Sequence, residues 1–140
     1  MIWIILVVVI IIFIALRFVT DLSKDNDDLQ NQNLAEKFIF IVNIINKSAF
    51  NENGSITAIN KREFNLYEEG QNQIIKFHYS TGHLTITWKY KYFQKEIIHE
   101  RQFDNVRNLS VFEQMKVGEV MIKEMSVIVA KHKNEILNNI

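Results

Sequence analysis

His78 and His83 are the pair of side chains best placed to act together on a ligand, because they flank the dipeptide Thr81-Gly82. If that dipeptide turns a hairpin, both imidazoles lie on one polar face, with Thr85 opposite His78 and Ser80 opposite His83. They are then diagonal neighbours about 7 Å or more apart. With a third ligand such as His99 or Glu100 they would suit zinc. The spacing matches no established ligand set, however, and solvated strand histidines are the expected reading. His99 and Glu100 are adjacent, so on a strand they point to opposite faces and cannot act as an acid–base pair. The chain lacks G-x-S-x-G, P-loop, dinucleotide-binding and H-E-x-x-H patterns. No catalytic residue, metal or cofactor is expected.

A second surface comes from "TITWKYKYF" (85–93), where Trp88, Tyr90 and Tyr92 alternate with Thr87, Lys89 and Lys91. Lys76, His78, Lys89, Lys91 and Lys95 form the candidate binding surface. Aromatic side chains interleaved with lysines can stack bases and neutralise phosphates. On a strand, though, alternation sends the two types to opposite faces, which suits a core and a solvated face and argues against nucleic acid. A lysine-lined face toward anionic lipid is the better-placed alternative.

The elements that must carry these residues follow from hydrophobic period. Strands are expected at 61–68, 72–80, 83–93 and 96–103, each rich in β-branched or aromatic residues. Pairing Tyr79 with Leu84 brings Phe77 opposite Ile86 and Ile75 opposite Trp88. Leu66 then falls opposite Ile75 and Phe64 opposite Phe77, giving one apolar face. A slip of one residue would scatter that face, so the register is strongly specified. A helix at 28–49 carries Leu34, Phe38, Ile41 and Ile45, with Asp27 or Asp28 as its cap and Gly54 as its stop. A second helix, at 111–137, starts at the capping box Ser110 and Glu113. Within it, Gly118 suggests close approach by another backbone or simple tolerance of the glycine. Beyond Ala130 only His132 and Ile136 continue the apolar stripe, which suits either a tail that docks in a partner or a frayed, solvated end. The fold class expected is α+β: a helix, a four-stranded antiparallel meander and a helix.

Ahead of this domain, every residue from Ile2 to Leu16 is apolar, and Phe18 and Val19 extend the run past Arg17. As a helix, residues 2–19 span about 27 Å, close to the hydrocarbon thickness of a bilayer. "FIALRFVTD" has no small-residue cleavage site, so the segment is expected to stay attached. The expected division is a transmembrane anchor at 1–20, a polar juxtamembrane spacer at 21–33 and the domain at 34–140. Arg17 reaches back to the membrane interface. Arg17 and Lys24 both follow the apolar run, which favours an outside N-terminus and a domain on the cytoplasmic side of the cell membrane.

Charge is balanced, 16 Lys plus Arg against 16 Asp plus Glu, and cysteine is absent. Together these exclude a disulfide scaffold, a thiol nucleophile and global attraction to nucleic acid. The function expected is a single-pass membrane protein that holds lipid through residues 1–20 and presents its domain to a protein partner in or near the membrane, as an accessory subunit. The alternative is a membrane-tethered enzyme using a histidine of the polar sheet face. A pocket joining such a histidine to an acid would favour that alternative.

Overall fold

In the computed structural model, residues 1–30 and 32–139 are described. Helix α1 (Ile2–Gln30) is long and apolar enough to cross a membrane. Residues 2–20 are all exposed. The helix does not end where the apolar run ends. Most of the expected spacer continues it, because Leu22, Asp25, Asp28 and Leu29 recur at steps of three and four and seat one face on the domain.

The single helix expected at 28–49 is two. Helix α2 (Leu34–Lys37) starts at Asn33, whose side chain accepts from the Glu36 N–H while Glu36 reaches back, forming a capping box. Neither Asp27 nor Asp28 caps it, since both lie inside α1. Phe38, at φ −109° and ψ 30°, breaks the run before α3 (Ile39–Phe50). That helix stops at Asn51, which takes the left-handed conformation at φ 51°, and not at Gly54. The Gly54 N–H instead donates to Asn46 Oδ1 at 2.9 Å, tying the loop back to the helix.

Five strands follow, one more than expected: β1 (Ser55–Asn60), β2 (Glu63–Tyr67), β3 (Gln73–Ser80), β4 (His83–Tyr92) and β5 (Lys95–Phe103). They form one antiparallel sheet in sequence order. The expected register is observed, with Tyr79 paired to Leu84, Phe77 to Ile86, Ile75 to Trp88, Leu66 to Ile75 and Phe64 to Phe77. Their side chains make the core face, where Phe64 and Phe77 stack with ring centroids 4.5 Å apart. Thr81 and Gly82, both at positive φ, make the two-residue turn between β3 and β4. Phe93 and Gln94 do the same between β4 and β5, one residue earlier than the Gln94-Lys95 turn the sequence suggests.

Helix α4 (Val111–Asn138) opens with the expected Ser110–Glu113 capping box. It packs with α3 against the core face, burying Met121 and Met125 beside Ile41 and Ile45. At Gly118 α4 meets α3: a Cβ there would collide with Ile44 Cγ2, whereas the Ile41 carbonyl oxygen would be 3.7 Å away, so the close approach is by a side chain and not by the expected backbone. Ile44 is β-branched and stiff at χ1, so it has little freedom to give way. The glycine is thus retained for packing, at a cost of about 1 kcal/mol in helix propensity.

Candidate binding groove and helix clamp

The carboxylate of Asp25 joins α1 to the turn end of the sheet, and it is wholly buried. Arg62, in the β1–β2 turn, donates to it at 2.9 Å, and Arg107, in the loop after β5, donates at 2.6 Å. The backbone N–H groups of Thr81 and Gly82 point at the same carboxylate, the latter at 3.1 Å. Burial pushes the Asp25 pKa up, but the hydrogen bonds from Arg107, Arg62 and Thr81 outweigh it and hold the carboxyl below its ordinary range. One turn on, Asp28 lies 3.0 Å from Arg107 Nε and accepts from the Tyr79 hydroxyl at 3.2 Å. Lys37 donates to the Arg107 carbonyl at 2.6 Å. One end of the sheet is therefore gripped by the helix that leaves the apolar run.

Beside this clamp a groove runs between the end of α1 and the β1–β2 hairpin. Its apolar lobe, about 680 Å³, is lined by Leu34, Ala35, Ile39, Ile56, Ala58 and Phe64. Its polar lobe, about 670 Å³, is lined by Asn26, Arg62 and His78. Leu29, Gln30, Asn60, Lys61 and Glu63 belong to both. The apolar lobe exists because β1 is an edge strand that no helix covers: all six residues are exposed, Ile56 at 43% and Ile59 at 51%. Sequence reasoning misses this strand because Ala58 and Ile59 are adjacent, which breaks the period of two. The signal available was the β-branched set Ile56, Thr57 and Ile59.

The residues singled out in the sequence are partly brought together. Lys76 and His78 share Glu63, at 3.3 and 2.9 Å. Burial pushes the Glu63 pKa up, but Lys76 and His78 outweigh it and lower the value. Lys89 and Lys91 are exposed on the outer face, where Lys91 stands opposite Glu96 and Thr87 opposite Glu100. The face is therefore mixed in charge rather than a basic plate. Lys95 stands apart at the far turn, where its carbonyl accepts from His132 at 3.2 Å. His83 lies 2.9 Å from Asp104, and His99, on the core side, lies 2.8 Å from Glu124 of α4. No cluster of three or more metal-ligating side chains occurs among the described residues.

The end of α4 does not project as a free tail. Ile136 is buried, and Lys133 sits over the Tyr90 and Tyr92 rings at 5.7 and 5.3 Å from their centroids. His132, through the Lys95 carbonyl, therefore faces the chain's own sheet. Arg17 is exposed at the end of the apolar run. No family model, curated protein or solved structure matches the chain.

Proposed function

We propose that this protein is a single-pass, membrane-anchored binding module that presents the β1 groove to a protein partner, as an accessory subunit of a membrane assembly. The observation supporting this reading is the Asp25 clamp on a helix continuous with the apolar run. A flexible tether would serve concentration alone, whereas a clamped helix also fixes which way the groove faces. Anchoring raises the effective concentration of the groove for partners in the same bilayer. Ile56→Asp places a charge in the apolar lobe at an exposed site, so the fold should survive and partner recovery in mild detergent should fall. Recovery equal to that of the wild type would remove the groove from the reading.

Orientation is part of the proposal. Arg17 and Lys24 favour a cytoplasmic domain, so protease added to intact cells should spare residues 21–140. Digestion without rupture of the membrane would reverse it.

One observation favours a second reading, a tethered hydrolase. His78 lines the polar lobe with Glu63 at 2.9 Å, the geometry of a carboxylate-oriented general base. The lobe's described lining includes no Ser, Thr or Cys, so this reading requires water as the nucleophile. Turnover of a p-nitrophenyl ester by the wild type and not by His78→Ala would establish the hydrolase.

A further inference from the structure

The two edges of the sheet are finished differently. Strand β5 carries Lys95, Glu96, Glu100 and Arg101, and α4 reaches it through Glu124, which binds His99 and Arg101. Charge and a covering helix are the usual devices that keep an edge from pairing with another chain. Strand β1, "SITAIN", has neither: it is uncharged, β-branched and exposed along all six residues, and its one irregularity, a register shift between Ala58 and Asn60, leaves Ser55–Ala58 as a regular edge. What charge there is stands at its two ends, with Glu52 before it and Lys61 after it. Both are exposed, and neither has a salt-bridge partner among the described residues.

We infer that β1 pairs antiparallel with β1 of a second copy of this chain, about a two-fold axis at Thr57. The inference rests on the reading of the β1 groove as a protein-binding surface and names its partner. An antiparallel pair about Thr57 brings Glu52 of each copy opposite Arg62 of the other, one position from Lys61, so the acidic end of each strand meets the basic end of the other twice, by symmetry. A parallel pair would set Glu52 beside Glu52 and Lys61 beside Lys61, so charge selects the first arrangement. With the axis at Thr57, Ile56 of one copy meets Ala58 of the other, large against small, on the side of the apolar lobe. The unpaired backbone groups of the edge are satisfied by the same contact. A six-residue strand makes a small interface, and confinement of both copies to one bilayer raises the concentration at which it must form.

The chain has no cysteine, so single cysteines report contacts cleanly. Directly opposed residues of an antiparallel pair have Cα atoms about 4.5–5.5 Å apart, within disulfide range. In membranes containing the full chain, Thr57→Cys should oxidise to a dimer, while Gln102→Cys, exposed on β5, should stay monomeric. Glu52→Lys or Lys61→Glu alone should lower dimer formation by Thr57→Cys about fivefold, the effect of converting two exposed attractions into repulsions. The double swap Glu52→Lys/Lys61→Glu should restore it. Equal cross-linking from both cysteines, or a double swap no better than either single one, overturns the dimer. Recovery of a different protein that is lost on Ile56→Asp, with Thr57→Cys still monomeric, overturns the dimer and leaves the binding-module reading standing.

Discussion

Asp25→Asn should lower the stability of the detergent-solubilised chain by about 3 kcal/mol, because it leaves two arginines facing a neutral group. The asparagine keeps the size of the aspartate, so the loss reports not a cavity but the missing charge and the one oxygen, accepting from two donors, that becomes an NH2. Removing one partner of a buried ion pair costs about 3–5 kcal/mol, and the low end applies because Arg62 and Arg107 keep 25% and 20% of their side-chain surface in water. The same carboxylate sets an acid limb. Its folded pKa is depressed, so its contribution is complete above the unfolded value, near about 3.9, and is lost as pH falls through the lower folded value. Wild-type stability should therefore fall off in that acid window, and Asp25→Asn should flatten the limb. Urea melts at pH 7 and across the acid range read both effects. A change under about 0.5 kcal/mol at pH 7 would make the clamp a surface pair and would remove the support for a fixed domain orientation.

The clamp was hidden from sequence reasoning by distance along the chain. Asp25 meets Arg62 and Arg107 across separations of 37 and 82 residues, and no local period marks such a pairing. In the sequence, "DLSKDNDD" reads as a solvated acidic run, which is the commoner fate of such residues. The Ser110–Glu113 box was legible because both halves of the signal lie within one turn. Asn33 and Glu36 carry the same spacing, yet the longer stripe from Leu34 to Ile45 drew the helix start upstream of them. The central hairpins were legible for a different reason. A period of two, folded about Gly82, puts Ile75, Phe77, Tyr79, Leu84, Ile86 and Trp88 on one face in only one register. Strand β1 fails that test because Ala58 and Ile59 are adjacent and break the period, and the groove beside it could not be read without the strand. The burial of Ile136 was not legible because it is the last residue of a thin stripe, and what covers it depends on the path of α4.

Phe77→Ala and His78→Ala, adjacent on β3, should separate by most of the stability that one core residue supplies. Phe77 is fully buried, lies opposite Ile86, and stacks on Phe64 with the rings 8° from parallel. Truncation removes that stack and leaves a void that the strand on each side prevents from collapsing, at a cost of about 3–5 kcal/mol. His78 points the other way, with 43% of its side chain exposed and its one bond going to Glu63. Glu63 keeps Lys76 when the imidazole is gone, so His78→Ala should cost within about 0.5 kcal/mol. Melts of the two variants in the same detergent give the comparison directly. Equal losses would mean that β3 is displaced by one residue, which would exchange its faces, put His78 and Lys76 in the core, and undo the polar lobe along with the sheet.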